Sequence, residues 1–305
     1  MQAASAAQLV AREILPWARA SLARNAGRPV VIGVSGPQGS GKTTLCKSLV
    51  DIFSAEEVGL PAVAMSLDDF YLPHADLMRL AAAHPSNPLL HGRGLPGTHD
   101  LALLAHTLEA IHAAQLPVTV PVYDKAAYGG QGDRAAENKS IPRGTRVVFL
   151  EGWMLGFRAL EGETEAERVQ QLRNRVVPTD LVAEYGADNI AEVAGPALAA
   201  YATAVHDHLD HFVHWTLESP RDLPRVVVNW RTQQERELRA ARGTGMSDAD
   251  VERFVRRYLP LYALCVERLT TERVWASRDD PQGDHRRQLQ VRLDEGRAVV
   301  QVERM

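Results

Sequence analysis

The chain has 305 residues, of which 45% are hydrophobic and 24% are charged, so it is long enough to bury a substantial core. The net charge of −4 gives no reason to expect a nucleic-acid or anionic-membrane partner, because either would favour a strongly basic surface. Two cysteines exclude a disulfide scaffold. No apolar run reaches the ~18 residues of a membrane span and no secretory signal is visible, so we expect a cytoplasmic protein with no membrane partner.

Helical and extended patterns alternate along the first half of the chain. Residues 6–24 form an amphipathic helical pattern that contains Pro16, and residues 29–35 form a short apolar run typical of a buried parallel strand. The sequence then predicts a helix, a strand, a helix and two more strands, at residues 41–53, 61–66, 100–114, 118–122 and 146–150. This alternation predicts an α/β fold with a mostly parallel sheet and helices on both faces.

Two irregular segments, residues 71–98 and 125–144, interrupt the alternation. Each follows the carboxyl end of a predicted strand, which is the edge where α/β sheets bind ligands. Long loops at that edge are more often functional than decorative, so we interpret both segments as substrate loops.

The second half of the chain is less regular. Residues 190–209 have a helical pattern, and residues 211–217 have the pattern of a strand. Residues 226–242 are ambiguous, because three consecutive valines favour a strand while the charged run after them favours a helix.

The C-terminal region combines a helix with strands. Residues 247–270 predict a helix that is capped by Ser247 and kinked by Pro260, and residues 286–303 predict a hairpin. No linker divides the chain, so we predict a single domain over residues 1–305. Its parts are an N-terminal helix (1–28), two substrate loops (71–98 and 125–144), a lid region (226–242) and a C-terminal unit of helix and strands (247–305).

A phosphate-binding motif lies between the first predicted strand and the helix that follows it. The octapeptide Gly36-Pro37-Gln38-Gly39-Ser40-Gly41-Lys42-Thr43 matches G-x-x-x-x-G-K-[ST]. The glycines let backbone N–H groups approach an anion, and the helix start adds positive potential. In such loops the lysine reaches the β- and γ-phosphates of ATP and the hydroxyl binds Mg²⁺. We therefore predict a three-layer sandwich of the P-loop NTPase type, with an ATP site that also includes Thr44.

Two further predicted strands lead into carboxylates. The second is followed by Asp68 and Asp69, of which one would face the γ-phosphate, since neighbouring strand residues point to opposite faces. There a carboxylate would accept the proton of an acceptor alcohol; the alternative is an ordinary turn former. The fourth strand ends at Glu151, which would bind Mg²⁺ beside Thr43 as in a Walker-B motif, unless it only faces solvent.

In this order, the three motifs resemble those of the P-loop kinase group that includes uridine kinase, phosphoribulokinase and pantothenate kinase. Longer strings resemble the D-glycerate 3-kinase family of plants and fungi. The most specific are Gly-Arg-Gly-Leu-Pro-Gly-Thr-His-Asp at residues 92–100 and Glu-Gly-Trp-Met-Leu-Gly-Phe at residues 151–157. The resemblance implies Asp68 as the catalytic base, ATP and Mg²⁺ as cofactors, and D-glycerate as a substrate that becomes 3-phosphoglycerate. The chain departs from the family pattern at Thr232 and at Gly129-Gly130.

Glycerate carries a carboxylate and two hydroxyls, so its site needs cationic and hydrogen-bonding groups. The substrate loops and the residues directly beside them supply Arg93, His99, Tyr123, Lys125 and Arg134. We expect Arg93 and Lys125 to be the main ligands. Each of the other three has a structural alternative, which is helix capping for His99, core packing for Tyr123 and a surface ion pair for Arg134.

Four arginines, Arg231, Arg236, Arg239 and Arg242, lie where related kinases carry a lid helix. A lid arginine neutralises charge on the transferred phosphoryl group, and we assign this catalytic role, alongside that of Lys42, to Arg231. The alternative for the other arginines is a solvated basic helix face.

Two other functions stay open. One is a kinase for another small metabolite, such as pantothenate or a nucleoside, although the substrate loops hold few aromatic residues to stack on a base. The other is a switch protein that hydrolyses ATP slowly. The sequence does not determine the oligomeric state.

Overall fold

The computed structural model of the chain describes residues 5–25, 27–174, 177–242, 245–275 and 285–305. Its α-helices are α1 (Ala6–Arg24), α2 (Lys42–Ser54), α3 (His74–Ala83), α4 (Leu101–His112), α5 (Glu165–Arg173), α6 (Thr179–Tyr185), α7 (Ala187–Glu192), α8 (Leu198–Ala204), α9 (Leu223–Arg242), α10 (Asp248–Arg256) and α11 (Leu259–Thr271). Its strands are β1 (Val30–Ser35), β2 (Ala62–Ser66), β3 (Val118–Val120), β4 (Tyr123–Asp124), β5 (Asp133–Arg134), β6 (Lys139–Ile141), β7 (Val147–Gly152), β8 (His211–Leu217), β9 (Arg287–Leu293) and β10 (Val299–Arg304).

Six strands form the central sheet in the order β10-β9-β8-β1-β7-β2. All neighbouring pairs are parallel except β10 with β9, which is antiparallel at the edge. Every residue of β1, β7 and β8 is buried, which requires cover on both faces of the sheet. Helices lie on both sides of this mostly parallel sheet, so the predicted fold class is confirmed.

The strand register brings the predicted motifs to one edge of the sheet. Ser35 pairs with Gly152, and Ser66 pairs with Glu151, so β1, β2 and β7 end at the same level. The P-loop, the Asp68 turn and Glu151 therefore emerge side by side at the carboxyl edge, where α/β sheets bind ligands.

Two predictions for the first half of the chain are wrong in detail. The strand predicted at residues 118–122 does not join the parallel sheet, because β3 pairs antiparallel with β6 in a separate ribbon. The substrate loop at residues 71–98 is not irregular throughout, since it contains α3. Only Leu77 of that helix is fully buried, so the apolar periodicity that would have predicted it is weak.

In the second half, packing decides the ambiguous segments. The valine run at residues 226–228 lies in α9, where Val226 and Val227 are buried, so tertiary packing outweighs β-propensity. The helix predicted at residues 247–270 is two helices, and Pro260 lies in the first turn of α11, where its missing N–H costs nothing.

The remaining segments follow the prediction more closely. The helical pattern at residues 190–209 contains a π-helical turn, Val193–Ala197, between α7 and α8. The predicted C-terminal hairpin is present, and its first strand extends the sheet beside β8. Among the described residues, no helix combines the length and apolarity needed to cross a bilayer.

Candidate active site

A cavity of about 1310 Å³ opens at the carboxyl edge of the sheet. Its wall is formed by the P-loop, the turn after β2, the end of β7, the substrate loops, α9, α10 and the β9–β10 turn. The predicted site residues on this wall are Gln38, Gly39, Gly41, Lys42, Thr43, Thr44, Asp68, Arg93, Tyr123, Lys125, Glu151 and Arg231. Those that do not line it are Gly36, Pro37, Ser40, His99 and Arg134.

Side chains from distant elements fix the P-loop backbone. Trp215 of β8 donates from Nε1 to the Ser40 carbonyl at 3.0 Å. The Tyr262 hydroxyl of α11 accepts from the Gln38 backbone N–H at 3.3 Å and donates to the Gln38 side chain at 2.9 Å. These contacts hold the loop in its shape, which limits the reorganisation needed to accept a phosphate.

Arg297, in the turn between β9 and β10, also contacts the P-loop. Its Nε donates to the Gly39 carbonyl at 2.7 Å, its Nη1 donates to the Gln233 side chain at 2.9 Å, and its guanidinium lies 5.3 Å from the Trp230 ring centroid. Gly39 has φ +77°, and a Cβ there would lie 2.8 Å from the Cβ of Trp230. Only glycine therefore fits between the loop and α9.

Thr43 and Glu151 form the expected metal-binding pair of groups. The Thr43 hydroxyl donates to Glu151 Oε1 at 2.7 Å. Glu151 is buried, and within the described part of the chain its Oε2 has no hydrogen-bond partner. A buried carboxylate oxygen without a partner is costly unless a cation or water satisfies it, so these two oxygen donors fit a hard cation such as Mg²⁺.

Asp68 lies in a 3₁₀ turn, Leu67–Phe70, directly after β2. Its Oδ2 accepts from Lys125 Nζ at 2.5 Å, and its Oδ1 accepts from the Tyr71 hydroxyl at 3.0 Å. Burial, the largest single influence, favours the neutral acid, but the charge and hydrogen bond of Lys125 together with the charge of Lys42 outweigh it and hold the pKa of Asp68 well below its usual range. Asp68 is therefore ionised near neutral pH. Burial and the Asp68 charge raise the pKa of Tyr71, which stays a donor.

Asp69 points away from the cavity. Its Oδ1 accepts from the Tyr123 backbone N–H at 3.1 Å, and its Oδ2 lies 3.6 Å from Lys139 Nζ. The two aspartates face different ways, as the sequence predicts, but the reason is different: they lie in a 3₁₀ turn and not on a strand. Asp69 thus anchors the second substrate loop.

His99 and Arg134 lie behind the wall. His99 is buried, with Nδ1 2.7 Å from the Tyr201 hydroxyl and its ring centroid 4.3 Å from that of Tyr71. Burial lowers the pKa of His99 to about 3, so its ring is neutral. Arg134 donates to Asp100 Oδ2 at 2.9 Å and to the Tyr71 carbonyl at 3.2 Å. Both residues therefore support Tyr71 and do not reach the cavity.

Arg231 of α9 faces the cavity. Its Nη2 lies 2.9 Å from Oε2 of Glu235, which is buried, and its guanidinium lies 5.9 Å from the Phe254 ring centroid. These contacts hold the side chain on the wall.

The other lid arginines have different partners. Arg236 and Arg239 pair with Asp248 at the start of α10, at 2.5 and 2.7 Å, and neither lines the cavity. The side chain of Arg242 lies outside the described part of the chain. Of the lid arginines whose side chains are described, Arg231 is thus the one on the wall.

Sequence reasoning missed several wall residues, namely Tyr71, Trp153, Gln233, Tyr258 and Arg297. Trp153 belongs to the string at residues 151–157 that resembles the family, so a signal for it was present. Tyr258 lies in the turn between α10 and α11, in a segment whose apolar pattern predicts only core packing.

No protein-family model matches the chain. An uncharacterised kinase of Schizosaccharomyces pombe, mug58, is 36% identical over 250 residues, which cover 81% of this chain and 84% of that protein. The chloroplastic D-glycerate 3-kinase of Arabidopsis thaliana is 36% identical over 277 residues, or 89% of this chain and 54% of that longer protein. A solved D-glycerate 3-kinase from Cryptococcus neoformans var. grubii has a TM-score of 0.80 and 32% identity, with 97% of this chain and 99% of that one covered.

Proposed function

Because this chain belongs to the D-glycerate 3-kinase family of P-loop kinases, we propose that it transfers the γ-phosphoryl group of ATP to D-glycerate, which yields 3-phosphoglycerate and ADP. The observation that carries this proposal is the placement of the P-loop, Asp68 and Lys125 on one cavity wall. It gives an ATP-dependent kinase a base and a cation where a small hydroxy acid would lie. A cytoplasmic location stays a prediction.

At the acceptor end, Lys125 would bind the carboxylate of glycerate and Asp68 would bind its attacking hydroxyl. The two side chains contact each other. The substrate carboxylate competes for Lys125, and Asp68 Oδ2 then accepts the proton of the attacking hydroxyl. As the new O–P bond forms, the bond from the γ-phosphorus to the bridging oxygen breaks and its electrons stay on ADP. Tyr71 keeps its hydrogen bond to Oδ1 and so holds the carboxylate in place.

At the phosphate end, the P-loop supplies N–H donors and the ammonium of Lys42. Arg231 places a second positive charge on the wall, where it would neutralise charge on the transferred group. Thr43 and Glu151 would hold Mg²⁺, which would supply positive charge to the β- and γ-phosphates.

An ADP-release assay over D-glycerate, L-glycerate, pantothenate and nucleosides tests the proposal. We expect D-glycerate to give the highest kcat/KM, and we expect Lys42→Ala to abolish transfer. Lys47→Ala is the matched control, because Lys47 is exposed on the same helix and does not line the cavity. Preferential turnover of pantothenate or a nucleoside would replace the proposed acceptor. Near-normal turnover by Lys42→Ala would contradict a P-loop mechanism.

A further inference from the structure

The segment of residues 125–132, called the lysine loop below, carries the cation that contacts Asp68. Its own hydrogen bonds close it into a turn, since the N–H groups of Gly130 and Gly132 both donate to the Ala127 carbonyl. Gly129 and Gly130 have no atom within 4 Å of their Cβ positions, and Tyr128 is 61% exposed. The loop is therefore not packed into the core, and its position depends on a few tethers.

Arg93, from the first substrate loop, is the tether with the most hydrogen bonds. Its Nη1 donates to the carbonyls of Gly130, at 2.7 Å, and of Gln131, and its Nη2 donates to the Lys125 carbonyl at 3.3 Å. Three of the five N–H groups of the guanidinium are thus used on one loop. A carboxylate that bound Nη1 and Nη2 together, one oxygen to each, would have to displace a carbonyl from Nη1.

Arg93 is itself held on both sides. The Tyr123 ring centroid lies 5.7 Å from its guanidinium, and a Cβ on Gly132 would lie 2.7 Å from its Nη1. The next residue, Gly94, accepts a hydrogen bond from Trp153 Nε1 at 3.0 Å. The arginine is therefore anchored to the end of the central sheet and transmits that fixed position to the lysine loop.

A second tether lies at the tip of the loop. The His74 ring of α3 stacks on Tyr128 at 3.9 Å, with a 2° angle between the planes, and its Nε2 lies 2.8 Å from Gln131 Oε1. This tether holds the tip, whereas the Arg93 bond to the Lys125 carbonyl acts at the residue that carries the cation.

We propose that Arg93 is a positioning residue: it holds the lysine loop so that Lys125 stands against Asp68, and it does not itself bind the acceptor carboxylate. This inference rests on the proposed function, in which Lys125 binds the acceptor. The sequence predicts that Arg93 and Lys125 each bind the acceptor carboxylate. In this proposal only Lys125 binds it, and Arg93 acts through Lys125.

A double-mutant cycle tests whether the effect of Arg93 depends on Lys125. The variants are Arg93→Ala, Lys125→Ala and the double variant, assayed with D-glycerate at a saturating concentration of ATP. We expect Arg93→Ala to lower kcat/KM by ~10²-fold, the scale of a misplaced catalytic group, and to have little further effect once Lys125 is absent. A loss from Arg93→Ala that is equally large in the Lys125→Ala background would show an independent ligand and overturn the proposal.

Hydrogen exchange of the unliganded protein tests the tether without any activity. Peptides that cover the lysine loop should exchange ~10-fold faster in Arg93→Ala. Arg93→Lys keeps the charge but lacks the planar guanidinium that donates to three carbonyls, so it should show the same faster exchange. It takes the place of Arg93→Ala if the alanine variant does not fold. Arg143→Ala is the control, because Arg143 is exposed and does not line the cavity.

The two measurements separate this inference from the proposed function. Unchanged exchange in both Arg93 variants would overturn the tether, whatever the substrate. Faster exchange in the Arg93 variants, together with no turnover of D-glycerate by the wild-type protein, would support the tether and contradict the proposed acceptor.

Discussion

Asp68 has two neighbours that act on it in different ways. Lys125 supplies charge and is itself exposed by 57%, whereas Tyr71 is buried and supplies only a hydrogen bond. An exposed cation can leave for a substrate carboxylate, while the buried hydroxyl stays. The aspartate can thus exchange one partner for the substrate and still keep its orientation.

This arrangement predicts the outcome of substitution at the aspartate pair. Asp68→Asn should lower kcat by ~10²-fold or more and leave the Kd for ATP unchanged, because the amide does not accept the hydroxyl proton. Asp69→Asn should have a smaller effect on kcat, since Asp69 contacts the Tyr123 backbone and does not reach the cavity. Steady-state kinetics and nucleotide titration measure both. A larger kcat loss in Asp69→Asn would reverse our choice of base.

The pH dependence tests the contact with Lys125. Burial raises the pKa of Asp68 and Lys125 lowers it, with the net result well below the usual range. Replacing the cation in Lys125→Met removes the main lowering influence, so the pKa must rise. The acid limb of the kcat/KM profile should then move up by ~1 pH unit or more relative to the wild type. An acid limb that stays in place would show that Lys125 does not act on the base.

At the residue scale, motifs that are local in sequence could be predicted and long-range contacts could not. The P-loop, Asp68 and Glu151 each follow a strand, so strand patterns indicate where they emerge. Arg297 reaches Gly39 across 258 positions of sequence, and no local pattern indicates that contact. The burial of His99 likewise depends on Tyr201, which is 102 residues away.

At the scale of elements, the C-terminal hairpin acts as a support for the nucleotide site. Its turn places Arg297 on the P-loop, and Trp230 of α9 donates from Nε1 to the Glu295 carbonyl of the same turn at 2.7 Å. The hairpin, the P-loop and α9 therefore meet at one point, and α9 also carries Arg231.

Arg297→Ala removes the contact between the hairpin and the P-loop. We expect a several-fold to ~10²-fold higher KM for ATP, with a smaller change in the KM for D-glycerate, because the lost hydrogen bond to the Gly39 carbonyl holds the phosphate loop. Arg304→Ala serves as the control, since Arg304 lies at the far end of β10 and pairs with Glu13. Equal changes in both KM values, or none, would argue against a specific role at the nucleotide.

The elements that sequence patterns did not place correctly share a physical cause. The strand at 118–122 has strand-like residues, but its partner is β6, in a loop whose pairing no periodicity specifies. In α9, valines favour a strand in isolation, and burial of one helical face outweighs that preference. By contrast, β1 and β7 are almost wholly apolar and buried on both faces, so their sequence patterns predict them.

At the scale of the whole molecule, three buried histidines make stability depend on pH. Burial lowers the pKa of His99 to about 3, of His211 to about 4 and of His214 to about 3. The unfolded chain binds these protons near pH 6.5, whereas the folded protein does not. Stability contributed by the neutral rings is therefore fully present above pH ~6.5 and is lost as the pH falls toward the folded pKa values.

Urea unfolding at about pH 7 and about pH 5 measures this loss. Each histidine that stays neutral when folded should reduce the free energy of unfolding by roughly 2 kcal/mol between these conditions. His214→Gln removes one such group and should reduce the fall by about that amount. An equal fall in wild type and variant would mean that His214 does not titrate as its burial predicts.

The measurement that tests the central claim most directly is identification of the phosphorylated product by phosphorus and carbon NMR. With ATP, Mg²⁺ and D-glycerate, we predict one equivalent of ADP and one of phosphate ester on carbon 3 of glycerate. Asp68→Asn should give little of either. Release of inorganic phosphate without any glycerate ester would contradict the account, because it would make the protein an ATP-hydrolysing switch and not a glycerate kinase.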